Sequence, residues 1–333
     1  AGHDIERLGG RVTFEDVAAL LWTGALPDAE GRAAQQRALA EGRVAAFERL
    51  AATGDATALP DGMDALRATT AHLSAQAGFD APARLTGALA VYAAAWGRAR
   101  RGARPIAPDP TLSHAADYLR MLGGEPQDAA RVAGLDAYLV TVADHGLNAS
   151  TFAARVVTST GSDGVSAIVA AIGTLKGPLH GGAPGPVLDM LDAVGEPDNA
   201  SAWIDAELAA GRRIMGMGHR IYRVRDPRAA VLERAIAQLE QAGISTGRLA
   251  LARAVERAAE GALRLKYPGR PLAANVEFYT AVLLDTVGID RVAFAPTFAV
   301  GRVAGWYAHV LEQRATGRLI RPASRYVGPA PAP

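Results

Sequence analysis

An all-α fold is what the sequence predicts, and three observations predict it. Alanine is abundant and runs of β-branched residues are scarce, which favours helix over strand. Apolar residues recur at helical spacing along almost the whole chain. No strand pattern, no alternation of strands with helices and no internal repeat can be made out.

The helices can be taken in order. Over Val12 to Thr23, Thr13 is placed to cap and Asp16 stands three residues on. Phe14, Val17, Leu20 and Leu21 form a stripe, and Gly24 with Pro27 ends the helix. Ser113 to Leu122 repeats that logic and stops at Gly123 and Gly124. Asp163 to Lys176 reads as a nearly all-apolar helix closed by Gly177 and Pro178, with burial expected on all sides. Asp226 and Pro227 make a helix start, Asp as cap and Pro at the first helical position. Val231, Leu232, Ala235, Ile236 and Leu239 follow on one face, and Gly243 ends that helix. Asn275 is placed to cap the next, which puts Glu277 in its first turn, and Phe298 to Ala315 forms a further long helix stopped at Gly317. The C-terminal GPAPAP is of low complexity and expected to be disordered.

Bulk properties narrow the function. With 333 residues the chain exceeds one ordinary domain and fits one large domain or two unequal ones. Lys plus Arg number 35 against 34 Asp plus Glu, so no net field draws nucleic acid or a membrane surface. The basic run Arg98 to Arg104 reads as a solvated helix end and loop rather than an anion site. Absence of cysteine excludes disulfides, thiolate zinc sites and a cysteine nucleophile. The first residues, AGHDIERLGG, are polar and form no signal peptide, and the longest apolar runs, such as Val165 to Leu175, fall well short of the ~18 residues that span a bilayer. A cytoplasmic protein is expected. The chain opens without Met, so further N-terminal residues are expected to precede it.

Of seven histidines, three stand out: His145 in ADHGLNAST, His180 in GPLHGGAPGP and His219 in GMGHRIYR. Glycine neighbours offer no side chains to pack against and let backbone approach a ligand. His180 also precedes a helix start at Pro184 to Pro186, where an imidazole tends to stay neutral and donate a hydrogen bond. The plainer alternative is loop histidines of no consequence. His72, His114 and His309 fall in amphipathic helices and read as structural or surface residues. The spacing argues against zinc, with no pair at i, i+4 on one helix and no HExxH.

Three arginines suit a ligand with several carboxylates. Arg228 sits in a first helical turn, where a cation opposes the helix dipole and a bound carboxylate would offset the cost. Arg302 lies inside the apolar FAVGRVAGWY, where a buried cation needs an anionic partner unless it snorkels out. Arg321 follows Leu319 and Ile320, where a surface ion pair is the plain alternative. Glu277 could be no more than an acid favoured at a helix start. The glycine- and proline-rich stretches Lys176 to Pro186 and Met215 to Gly218 are candidate hinges or site loops, and Gly216-Met217-Gly218 is too short for a nucleotide fingerprint.

Read together, DHGLNASTFAARVVTST, LKGPLHGGAPGPVLDML, MGMGHRIYRVRDPRA, NVEFYTAVLLD, FAVGRVAGWYAHVLE and IRPASRYVGP resemble the citrate synthase family, in the family's order, over about Asp4 to Pro329. The opening VTFEDVAALLWTGALP resembles the family's first ordered helical segment, and the segment usual before GHDIERL is missing. The resemblance implies an all-α fold with a large domain, 1–181 and 289–333, and an inserted small domain, 182–288. It also implies closure at a hinge near Gly177 to Gly182, and a homodimer.

It implies roles as well. His180 would stabilise the enol of the acetyl thioester, His219 would donate to the oxaloacetate carbonyl, and Glu277 would stand where the family usually has an Asp base. His145, Arg228 and Arg302 match oxaloacetate ligands, Arg321 one that reaches the partner subunit's site, and Phe298 an aromatic residue beside the acyl group. Arg223, with Met215, Gly216, Met217 and Gly218, lies where coenzyme A binds. Two departures are Glu277 for Asp and Val142 where many relatives have His. The implied reaction joins acetyl-CoA to oxaloacetate and hydrolyses citryl-CoA, with no metal or redox cofactor. Propionyl-CoA as substrate (2-methylcitrate synthase), or a weakly catalytic homologue that binds CoA or a dicarboxylate, are the alternatives.

Overall fold

The structure, a computed structural model, describes residues 2–180, 184–218, 225–270 and 272–329. Its helices are Ile5–Leu8 (α1), Phe14–Thr23 (α2), Ala29–Glu48 (α3), Gly62–Ala71 (α4), Pro82–Ala99 (α5), His114–Gly123 (α6), Ala129–Val142 (α7) and Ala149–Ser159 (α8). They continue with Gly164–Leu175 (α9), Pro184–Val194 (α10), Ala200–Ala209 (α11), Pro227–Gln241 (α12), Arg248–Lys266 (α13), Val276–Val287 (α14) and Phe294–Thr316 (α15). Among the described residues there is no sheet, only one isolated antiparallel bridge between Met217 and Ala274.

The helix ends follow local chemistry. Thr13 and Asp16 form a reciprocal capping box on α2, and Gly24 closes that helix in the left-handed conformation. Ser113, Asp163, Asp226 and Asn275 each accept a backbone N–H at the start of α6, α9, α12 and α14. Such a cap contributes ~1 kcal/mol. The long helix α15 begins at Phe294, four residues before the Phe298 start expected from the sequence. A 3-10 turn over Arg291–Ala293 runs straight into it, and Pro296 falls in the first turn, where its missing N–H is no loss.

The core is built around α5 and α15. Helix α5 is buried almost without a break from Leu85 to Gly97 and packs on α3, α4, α6 and α15. Gly87 lets α3 approach to backbone contact, since a Cβ there would lie 2.6 Å from the Leu39 carbonyl oxygen. Helix α9 departs from the expectation of burial on all sides. Val165, Ile168, Ala171, Ile172 and Leu175 face α4, α8 and α15, whereas Val169, Ala170, Gly173 and Thr174 are only partly covered. The expected hinge Gly177 to Gly182 and the stretch Lys176 to Pro186 lie partly outside the described residues, as does the GPAPAP tail. No described helix is long and apolar enough to cross a membrane.

Candidate active site

Helices α12, α14 and α15 each pack on α7, and most of the residues singled out above lie on these four helices or in the turns beside them. His219 and Arg223 lie outside the described residues.

Asp226 organises the start of α12. Its carboxylate caps the helix by accepting from the Arg228 N–H at 3.0 Å, then pairs with the same residue's guanidinium, Nε at 3.0 Å and Nη2 at 2.7 Å. It also accepts from the Val276 N–H at 3.3 Å, which ties the start of α12 to the start of α14. Arg228 is buried, and the dipole cost expected for it is met first by its own cap. The Asp-Pro-Arg run was the sequence signal for this, although only the helix start was legible in it.

Glu277 occupies the first turn of α14, with its N–H donated to the Asn275 cap at 3.0 Å. Its carboxyl is half-buried and accepts no hydrogen bond among the described residues. Burial raises its pKa to about 7, against the Arg228 charge, which lowers it, and with the Asp226 charge, which raises it. A carboxyl balanced near neutrality can take and return a proton.

The Met215 to Gly218 loop is tied to the same helix start. Gly218 N–H donates to the Ala273 carbonyl at 2.8 Å, Asn275 N–H to that of Gly216 at 2.9 Å, and Asn275 Nδ2 to that of Gly218 at 3.0 Å. Gly216 has φ +73°, and a Cβ there would meet Phe278 at 2.8 Å, so only glycine fits.

His180, half-buried, ends the turn after α9. Its Nε2 lies 3.2 Å from the Ser150 N–H and 2.7 Å from Ser150 Oγ. A backbone N–H can only donate, so Nε2 is the acceptor and the ring proton sits on Nδ1. Ser150 is itself fixed: Trp306 Nε1 donates to its Oγ at 3.0 Å, and its one hydroxyl proton is shared between His180 Nε2 and Asn148 Oδ1, the latter at 2.8 Å. Burial and then the Arg302 charge lower the His180 pKa, with its own backbone opposing, so the ring is neutral.

Arg302 is 2% exposed. Nε donates to the Val142 carbonyl at 2.5 Å, and the guanidinium lies over the Phe298 ring, 4.5 Å from its centroid. Among the described residues no carboxylate stands within ion-pair distance of it. Burial, then the Arg228 charge, lower its pKa to about 10, while Asp144 opposes. Asp144 sits behind it. Burial would raise the Asp144 pKa, but His309, the Gly146 N–H and the Arg302 charge hold it down at about 2. His309 Nε2 lies 3.3 Å from Asp144 Oδ1, and its Nδ1 accepts from Arg155 Nη1 at 3.0 Å. His145, next in sequence, is half-buried and lines a cavity of about 170 Å³ with Arg228, Asp144, Leu20 and Val140.

Arg321 stands apart. It is exposed on the extended segment after α15, which Ile320 N–H pins to Ser159 Oγ on α8 at 3.0 Å, and it makes no hydrogen bond or ion pair with the described residues above. Among the described residues no cluster of His, Asp and Glu could hold a metal ion. Ser150, Trp306 and Asp144 escaped sequence reasoning, since each acts through a partner distant in sequence, and Asp226 was read only as a helix cap, without its hold on the Arg228 guanidinium and the Val276 N–H.

Residues 1–323 match the family model described as citrate synthase, C-terminal domain. The chain is 38% identical to the citrate synthase of Haloferax volcanii, over 98% of this chain and 88% of that protein. It is 39% identical to the 2-methylcitrate synthase of Mycobacterium tuberculosis, over 98% of this chain and 84% of that one. Among solved structures it is similar to the ternary complex of carboxymethyl coenzyme A and oxaloacetate with the citrate synthase of Thermoplasma acidophilum. There the TM-score is 0.86 and the identity 26%, over 99% of this chain and 90% of the other.

Proposed function

The chain belongs to the citrate synthase family of acyltransferases, and from that premise we propose that it condenses acetyl-CoA with oxaloacetate. The observation that carries this reading is the His180 tautomer, with Nε2 engaged by the Ser150 N–H and the ring proton on Nδ1. Glu277 removes a proton from the thioester methyl group while His180 donates to the thioester oxygen, giving the enol. The enol carbon attacks the ketone carbon of oxaloacetate, and a new carbon–carbon bond forms as the ketone oxygen takes a proton. Water then cleaves the citryl thioester to citrate and free CoA. His219, which the resemblance assigns to the ketone oxygen, is the proton donor in that step. Arg302, His145 and Arg228 hold the two oxaloacetate carboxylates. Arg302 suits this best, being a buried guanidinium with most of its donors uncommitted. The chemistry requires no metal or redox group.

Closure is part of the proposal: residues 182–288 move as a small domain against the rest, with Phe298 beside the acyl group and the Met215 to Gly218 loop and Arg223 on coenzyme A. A homodimer is also part of it. The partly covered face of α9 and Phe152 of α8, 44% exposed, offer apolar surface for a second copy. Arg321, on the segment pinned to α8, would then complete the partner's site. Hybrid dimers of Arg321→Ala and His180→Ala subunits should regain activity, because one of their two sites escapes both defects.

Propionyl-CoA is the second reading, favoured by the near-equal identity to a 2-methylcitrate synthase. One methylene changes binding by only ~1–3 kcal/mol, so the two are separated by rates. Thiol release should require oxaloacetate, and acetyl-CoA should outpace propionyl-CoA in kcat/KM. No release with either thioester would leave only a CoA- or dicarboxylate-binding homologue.

A further inference from the structure

Tyr138 lies on α7, wholly buried, and its hydroxyl has no hydrogen-bond partner among the described residues. Burying an unpaired phenol is unfavourable, and phenylalanine would fill the same space without that cost. Tyr118 on α6 shows the ordinary solution, with its hydroxyl 2.8 Å from Thr297 Oγ1. Tyr138 also stands one turn before Val142, on the face of α7 whose Val142 carbonyl receives Arg302. Helix α7 packs against both α14 and α15.

The groups around this hydroxyl are few. Burial most of all raises its pKa. Arg302 on α15 lowers it, and Tyr118 on α6 and Glu277 on α14 raise it. Glu277 in turn feels Arg228 and Asp226 from α12. The other charges packed on α14 are committed elsewhere. Glu256 of α13 is bonded to Tyr279 and Arg225, Asp192 of α10 pairs with Arg291 and Arg248, and Arg248 of α13 also holds Asp285. Among the described residues, an unpaired buried donor and a carboxylate without a donor therefore stand on packed helices.

We propose that Tyr138 is a positioning residue for Glu277, its hydroxyl donating a hydrogen bond to the carboxylate once that side chain is ionised. The inference rests on Glu277 being the base. A glutamate reaches one methylene further than an aspartate and has one more torsion to fix, and a donor at the end of that reach fixes it. A donor to the charged form also favours ionisation.

Tyr138→Phe removes the hydroxyl and keeps the ring. We expect kcat with acetyl-CoA to fall about tenfold, the size of one hydrogen bond to a charged group. The rising limb of kcat against pH should move up by about one unit, since the base loses a donor to its ionised form. The KM for oxaloacetate should stay in place, and Tm should hold or rise. In the Glu277→Gln background the same substitution should cause no further loss. A limb left in place, a loss of kcat that tracks a fall in Tm, or a further loss in the Gln background would each overturn the proposal. Should Glu277→Gln alone keep parental turnover, the base assignment falls. Should it be inactive while Tyr138→Phe leaves the limb unmoved, only the present inference falls.

Discussion

Two arginines, both almost sealed from solvent, are treated in opposite ways. Arg43 on α3 is fully paired: Nε donates to Asp117 at 2.7 Å, Nη1 to His114 Nδ1 at 3.3 Å and Nη2 to the Leu112 carbonyl at 3.0 Å. Arg302 on α15 has one backbone carbonyl and an aromatic ring. The histidines beside them differ in the same way. His114 is stacked on Phe14 and wholly buried, with burial and then the Arg43 charge holding its pKa well down. His180 is half-buried, with Nε2 accepting from the Ser150 N–H and the ring proton on Nδ1. A buried charge satisfied within the protein is architecture. One left with uncommitted donors is a place for an anion.

Substitution separates the two arginines. Arg302→Met should weaken oxaloacetate binding ~10²-fold or more, because a buried charge pair with the ligand is lost. It should not lower Tm, since no internal ion pair breaks. Calorimetric titration with oxaloacetate and a thermal melt would read both. Arg43→Met should do the reverse. It strands Asp117 with only Arg120 as counter-ion, so a loss of ~3–5 kcal/mol in stability is expected, with KM and kcat of the folded enzyme unchanged. If Arg43→Met alters KM, or Arg302→Met unfolds the protein, the two regions do not differ as described.

Acidity sharpens it further. Glu277, with its folded pKa raised from 4.5 to about 7, must be ionised to act, so kcat should rise with pH through about 7. The stability sign is opposite. The folded state holds the proton longer than the unfolded chain does, so stability at this group is full below 4.5 and is lost as pH rises through about 7. Glu277→Gln should therefore melt at the same temperature as the parent in acid and higher above neutrality. The smallest effect is expected from Ser150→Ala. The hydroxyl goes, but the backbone N–H that fixes the His180 tautomer stays, so turnover should fall only a few-fold.

Much of this was legible in the sequence because it is local. Thr13 with Asp16, Ser113, Asp163, Asp226 with Pro227, and Asn275 announce helix starts through chemistry within a few residues, and the structure has them all. Glycine-flanked His180 and the buried setting of Arg302 were legible for the same reason. What holds them was not. Trp306 reaches Ser150 across 156 residues of chain, and Arg302 reaches the Val142 carbonyl across 160. The half-covered side of α9 was hidden for another reason, since an all-apolar run carries no mark of which face stays partly exposed.

If Glu277 is the base, it acts first on the acetyl methyl group, and exchange of those methyl protons tests it most directly. Acetyl-CoA in deuterated water, with the enzyme and a dicarboxylate analogue of oxaloacetate that cannot condense, should lose methyl protons before any carbon–carbon bond forms. With Glu277→Gln that exchange should slow by ~10²–10⁴-fold, the usual contribution of a general base, while the analogue binds as tightly as before. A Gln variant that exchanges at the parental rate would contradict the account and return Glu277 to an acid at a helix start.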